Sequence, residues 1–251
     1  MCAERILLMA GPGAGKTTQI INVAKYLLDL NKRIFIIDFE AKFNETIKSQ
    51  GDIPKNVKIY TCVSWADFND AANDIITNEK IQKGEWIGLD RIDLSWPFAQ
   101  RDYSEFKYKV ELSERLEKSA LNMKGGKMFV PRFDAGDWQV VNEKYDGMFS
   151  KLIYKTRANT ILTSGVKTDD SPVEMFGNLG VVPRGQKELG HQPISVFLLE
   201  VKKEGVGKKA ELVYNITTAK DLKNRSRFEQ ETLLDFALQY VALYYDPNNP
   251  D

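Results

Sequence analysis

Lys16, Thr17, Glu40 and Asp90 are the side chains whose types and spacing could do chemistry together. Residues 10 to 17 read Ala-Gly-Pro-Gly-Ala-Gly-Lys-Thr. This is the phosphate-loop pattern, with alanine in place of the usual first glycine, lying between a predicted strand and a predicted helix. Gly11, Gly13 and Gly15 free the backbone to turn its N–H groups inward around a β-phosphate, beside the positive end of the helix that follows. Lys16 is expected to bridge the β- and γ-phosphates, and Thr17 to ligate Mg²⁺ through its hydroxyl. Pro12, Ala14 and Thr18 complete the stretch expected to line a bound nucleotide.

Two later apolar runs end in acids: IFIIDFE with Asp38 and Glu40, and EWIGLD with Asp90. Parallel sheets bring the carboxyl ends of their strands to the edge where a phosphate loop lies. One carboxylate must hold the metal there, and a second can polarise an attacking water. Asp90 closes an apolar strand after a full helical crossover, which makes it the better metal ligand. Glu40 is the better base, against the alternative of a solvated residue just past a strand. Asp38 reads equally well as a strand-end turn former.

The elements that must position these residues follow from the hydrophobic pattern. RILLMAG, RIFIIDFE, VKIYTCV, EWIGLD and NTILTSG read as strands. Between them lie helices at Lys16 to Leu30, near Asn44 to Gln50, Trp65 to Asn78 and about Gln139 to Thr156. Ile20, Val23, Ala24, Leu27 and Leu28 form one apolar stripe along the first helix. Strands alternating with helices of this length predict right-handed βαβ units. The expected fold is therefore α/β, a mainly parallel central sheet with helices on both faces. ISVFLLEVKK and KAELVYNITT, flanking EGVG, predict an antiparallel C-terminal β-hairpin, and Phe228 to Tyr244 a closing helix. We expect one domain over residues 1 to 245 and a frayed tail over 246 to 251.

Two segments break the rhythm. From about residue 95 to 137, FKYKVEL alternates like a strand, a helix is expected after Glu111, and MFVPRFDAGD reads as a loop. From Val166 to Gln192 lies a long irregular connection, a length usually reserved for function or disorder.

The bulk numbers narrow the setting. The 251 residues are 43% hydrophobic and 28% charged, the balance of a globular protein with a sizeable core. The formal net charge is zero, so any nucleic-acid binding must come from a local patch. Cys2 and Cys62 offer no disulfide framework, and one histidine, His191, makes a histidine-built site improbable. The opening MCAERILLMAG has too short an apolar run for a signal peptide, and no later run reaches membrane-spanning length. These features predict a chain without a membrane partner in a reducing cytoplasmic or nuclear compartment.

The spacing of the acids resembles the RecA-like ATPases, and bacterial RecA in particular. Glu40 follows Lys16 by 24 residues and Asp90 follows Glu40 by 50. IDFE matches the strand end that carries the family's catalytic glutamate, and WIGLD the strand that its metal aspartate closes. The resemblance implies ATP and Mg²⁺ as ligands and a Mg-dependent ATPase activity. It also implies a mobile single-stranded-DNA loop, matched by Met175, Phe176, Gly177 and Asn178 within the long segment. Lys223 and Arg225, in DLKNRSRF, match basic residues that reach a neighbouring subunit's γ-phosphate, which implies a homo-oligomer. The chain departs from the family at Ser164 and Gly165, where RecA has a polar pair whose glutamine senses the γ-phosphate. By its compact size it looks most like RecA-core ATPases of bacteriophages and archaeal viruses, which are associated with single-strand annealing and recombination; that origin would place it in the host cytoplasm.

Residues 202 to 227 hold eight basic residues against three acids, and Lys202 and Lys203 open that stretch. It reads as a backbone-contacting patch or as an ordinary lysine-rich hairpin face. Residues 96 to 133 interleave Tyr103, Phe106, Tyr108, Phe129 and Phe133 with basic residues, which suits single strands, although aromatics at such spacing more often serve a core or a subunit contact. The leading expectation is a DNA-stimulated ATPase acting on single-stranded DNA in recombination, annealing or repair. A ring-forming motor of helicase or packaging type and a small-molecule or nucleoside kinase are the alternatives. The kinase would need an arginine-rich lid that the sequence does not show, and packaging motors commonly carry Asp-Glu where this chain has Asp90-Arg91.

Overall fold

The computed structural model describes residues 3–109, 111, 113–114, 133–170, 175–176, 179–204, 211–222 and 237–241. Seven strands form the central sheet: β1 (Arg5–Ala10), β2 (Ile34–Asp38), β3 (Val57–Thr61), β4 (Trp86–Asp90), β5 (Asn159–Ser164), and the long β8 (Ser195–Glu204) and β9 (Glu211–Asp221). Their order is β3-β2-β4-β5-β1-β8-β9. All neighbours run parallel except β8 and β9, which form the expected antiparallel hairpin. The fold is α/β, as the alternation of strands and helices predicts.

Period-two alternation decides which face each strand residue serves. Ile6, Leu8, Ile34, Ile36 and Trp86 join the layer under α1 (Lys16–Asp29) and α2 (Phe43–Ser49). Leu7, Met9, Phe35, Ile37, Ile87 and Leu89 join the opposite layer. That layer includes buried residues of α3 (Trp65–Asn73), α4 (Ser95–Tyr108) and α5 (Ala135–Phe149). β1, β2 and β4 are therefore almost wholly buried, as strands covered on both faces must be.

Gly88, in the middle of β4, lets α1 approach the sheet. A Cβ built there would lie 2.6 Å from Ile36 Cδ1 and 3.3 Å from Ile20 Cγ2. Gly88→Val is expected to destabilise the fold by about 1–3 kcal/mol through overpacking. Equilibrium urea unfolding monitored by circular dichroism measures this, and a midpoint at or above wild type contradicts it.

Within residues 95 to 137 the structure decides the start, which alternation alone left open, whereas the helix expected after Glu111 falls almost wholly outside the described residues. Phe106, Lys107 and Tyr108 form the last turn of α4 and not a strand. Pro97 falls in the first turn of that helix, where no intrahelical N–H is needed. α5 begins at Ala135, four residues before the expected start, because Asp134 and Asp137 form a reciprocal capping box. The buried Asp137 carboxylate also accepts hydrogen bonds from Tyr103 (2.7 Å), Tyr108 (2.9 Å) and Lys107. Tyr103 and Phe133 pack edge to face at 5.7 Å, so these aromatics serve the core.

The Lys107 ammonium, ahead of the tyrosine hydroxyls, holds the Asp137 carboxyl well below the usual carboxylate range. A carboxyl depressed in the folded state stabilises above its unfolded pKa, and that contribution disappears only as pH falls through the depressed value. Asp137→Asn is therefore expected to lower Tm at neutral pH and to converge with wild type in strong acid. Thermal melts across pH test this, and a pH-independent difference contradicts it.

The long connection after β5 is not wholly irregular. β6 (Val166–Thr168) and β7 (Val181–Pro183) pair antiparallel, and a 3₁₀ turn follows at Lys187–Gly190. Of the expected closing helix, residues Ala237–Val241 are described, and Tyr240 is buried against Phe197. Among the described residues, no helix is long and apolar enough to cross a membrane.

Candidate active site

The phosphate loop emerges from β1 and leads into α1, with Gly13 at φ 74° and Gly15 at φ 83°. Both lie in the left-handed region that glycine enters without steric cost. A Cβ built at Gly11, Gly13 or Gly15 would meet nothing within 4 Å, so the space beside each of them is open. Lys16 turns back along that loop, and its Nζ donates to the carbonyls of Ala10 (3.0 Å) and Gly11 (2.8 Å). Burial, then the nearby Arg91 charge, lowers the pKa of its ammonium. Ala14 is buried beneath the loop, Pro12 is exposed, and the Thr18 hydroxyl accepts from Gln50 Nε2 at 3.3 Å.

Asp90 ends β4 directly beside Thr17. The Thr17 hydroxyl donates to Asp90 Oδ2 at 2.9 Å, and the Thr163 hydroxyl, from β5, donates to Asp90 Oδ1 at 2.6 Å. The Thr163 oxygen in turn accepts the backbone N–H of Arg91 at 2.8 Å. Asp90 is 3% exposed, and burial pushes its pKa up despite the two threonine hydroxyls. A buried carboxylate held this way gains strongly from a nearby cation.

Glu40 lies two residues beyond β2, on the same sheet edge. Asp38 shapes that turn, its carboxylate accepting the backbone N–H groups of Glu40 (3.0 Å) and Phe43 (2.8 Å). The turn-forming reading of Asp38 is the one these bonds support. Glu40 Oε1 accepts from Arg91 Nη1 at 2.9 Å and lies 3.4 Å from Lys42 Nζ. Arg91 also forks onto Asp93, with Nε to Oδ1 and Nη2 to Oδ2 both at 3.0 Å.

The Arg91 backbone is left-handed, at φ 62° and ψ 49°. For a non-glycine residue this costs of order 1–3 kcal/mol, a strain that gathers at functional sites. Sequence reading missed Arg91, Asp93 and Thr163 as members of this site. The one available signal was the three charged residues of Asp90-Arg91-Ile92-Asp93 at the end of an apolar strand.

These residues fit ATP and Mg²⁺. The open space beside the loop glycines suits phosphate oxygens, and Lys16 folds back along the loop. The Thr17 hydroxyl and Asp90 carboxylate are hard oxygen donors within hydrogen-bond distance of each other, the donor type that Mg²⁺ takes. Bound there, the ion would neutralise charge on the β- and γ-phosphate oxygens.

The structure brings Lys16, Thr17, Asp90 and Glu40 to one edge. Met175 and Phe176 are half-buried against Gly190, where an added Cβ would fall 2.4 Å from Met175 Sδ and 3.2 Å from Phe176 Cζ. The Met175 N–H donates to Asp169 Oδ2 at 2.7 Å. Lys202 and Lys203 are exposed on the β8–β9 hairpin, and Lys202 lies 3.6 Å from Glu200. Asn178, Lys223 and Arg225 fall outside the described residues. Ser164 is buried, and its hydroxyl lies 2.9 Å from the carbonyl of Arg184, just past β7.

No protein-family model and no curated protein matches the chain. Among solved structures, it is similar to a KaiC-like protein from the hyperthermophilic archaeon Pyrococcus horikoshii OT3. The two share 13% identity over 90% of this chain and 82% of the other, with a TM-score of 0.47.

Proposed function

We propose that the chain binds ATP with Mg²⁺, hydrolyses it, and uses the cycle on single-stranded DNA in recombination, annealing or repair. The observation that carries the ATPase reading is the convergence on one sheet edge of a glycine cradle with Lys16, the Thr17–Asp90 pair, and Glu40. A lysine and backbone amides bind the phosphates in such a site, a carboxylate–hydroxyl pair holds the cation, and a second carboxylate receives the proton of the attacking water. A purely regulatory switch needs no such base.

The DNA part rests on the RecA-like resemblance and on the exposed pair Lys202 and Lys203 at the sheet's edge hairpin. Phosphate contacts release counterions, so removing two lysines should flatten the salt dependence of binding as well as weaken it. Anisotropy of a labelled oligothymidine, with ATP present, tests this. Lys202→Glu with Lys203→Glu is expected to reduce both affinity and salt slope. Equal binding by wild type and variant, or no binding by wild type, removes this assignment. Assembly into a homo-oligomer with Lys223 and Arg225 acting in trans belongs to the same proposal, and sedimentation with and without ATP measures it.

A further inference from the structure

We propose that Arg91 is a γ-phosphate-reading cation within this chain's own site, paired with Glu40 in this structure and drawn to the γ-phosphate when ATP occupies the loop. The inference rests on the ATP-binding reading above and deepens it.

Three observations carry it. First, the guanidinium is anchored from behind. Its Nε and Nη2 fork onto Asp93, whose side chain is fully buried, which fixes the plane of the group and leaves Nη1 to reach Glu40. Asp93 is itself confined by the ends of the β6–β7 segment. A Cβ at Gly165 would stand 3.3 Å from its Oδ2, and one at Gly185, where φ is 111°, 3.1 Å from its Cα. The anchor therefore has little room to move.

Second, Arg91 follows Asp90 directly, and its backbone N–H is bonded to the same Thr163 hydroxyl that holds Asp90. Its position is thus set by the residue expected to face the metal. Third, Arg91 Nη1 lies 2.9 Å from Glu40 Oε1, the carboxylate assigned to the attacking water, so the guanidinium faces the region that a γ-phosphate would enter. A triphosphate brings an anion to that region, and a diphosphate ends short of it.

The partner exchange has a consequence for the base. While Glu40 Oε1 accepts from Arg91 Nη1, that carboxylate oxygen is engaged and not open to a water. Once Nη1 takes the γ-phosphate in place of Glu40, with the Asp93 fork kept, Glu40 loses that partner and is open to take a proton from water. The water oxygen then bonds to the γ-phosphorus, and the bond from that phosphorus to the β–γ bridging oxygen breaks. The electron pair leaves on ADP, and Glu40 holds the proton. Base activation is in this way made conditional on a triphosphate, without a residue from a second subunit.

The test is equilibrium binding of fluorescent ADP and of a fluorescent, non-hydrolysable ATP analogue, each with Mg²⁺. Arg91→Ala is expected to weaken triphosphate binding about 10–100-fold, the size of a charge-assisted hydrogen bond, and ADP binding less than about twofold. Glu40→Gln is expected to strengthen triphosphate binding, and that gain should vanish in the Arg91→Ala background, since it acts through Arg91. If Arg91→Ala leaves Asp93 buried without a partner and fails to fold, Arg91→Gln with Asp93→Asn removes both charges together and carries the same expectation. Equal losses for both nucleotides, or a Glu40→Gln gain that persists without Arg91, overturn the proposal. Wild-type protein that binds neither nucleotide contradicts the ATP-binding reading itself. Wild-type binding of both with no Arg91 discrimination removes this inference alone.

Discussion

Glu40→Gln is expected to lower ATP turnover by about 10²–10⁴-fold, the usual contribution of a general base, without weakening nucleotide binding. The substitution keeps the size and hydrogen-bonding reach of the side chain but cannot take a proton from water. Glu40 lies beyond β2 and its carboxylate pairs with Arg91 and Lys42, so its replacement leaves the binding cradle of Gly11 to Thr17 unaltered in sequence. Asp38, which shapes the Glu40 turn through two backbone bonds, is likewise undisturbed. Single-turnover phosphate release alongside nucleotide affinity separates the two effects. Turnover at the wild-type rate would remove Glu40 as the base.

Lys16→Ala is expected to act on binding and chemistry together. A cation aimed where charge develops on a transferring phosphoryl group contributes about 10²–10³ to turnover, and its loss also weakens the ground-state complex. Among the described residues, the Lys16 ammonium hydrogen-bonds the loop carbonyls of Ala10 and Gly11 and no side chain. The fold should therefore survive, with an unchanged Tm in the absence of nucleotide. The wild-type Tm should rise with ATP and the variant's should not. Equal ATP-dependent stabilisation of both proteins would place the nucleotide elsewhere.

The parts of this molecule that could be read from the sequence are those fixed by local pattern. The glycine loop announces itself because only glycine enters the φ values of residues 13 and 15 freely, and an apolar strand and an amphipathic helix flank it. The strand that Asp90 closes was legible because a short apolar run of buried-strand type stops there at an acid. The β8–β9 hairpin followed from two alternating runs around a glycine-rich turn.

Long-range and backbone-dependent features were not legible. The Arg91–Glu40 pair joins residues 51 apart and depends on a left-handed arginine that no propensity foretells. In α4, the alternation of Phe106, Lys107 and Tyr108 imitated a strand, whereas the buried positions Ser95, Ala99 and Tyr103 follow the helical period. The Asp134–Asp137 capping box was present as a D-x-x-D spacing but lay inside a stretch read as loop. β6 and β7 have three residues each, too few for periodicity to register.

The most direct test of the account is steady-state phosphate release from ATP by the wild-type chain, with Mg²⁺ or with a chelator, and with no DNA, single-stranded DNA or duplex. The account predicts release that requires Mg²⁺ and rises with single strands. No release above the chelator control under any condition would contradict its central claim, that this sheet edge hydrolyses ATP.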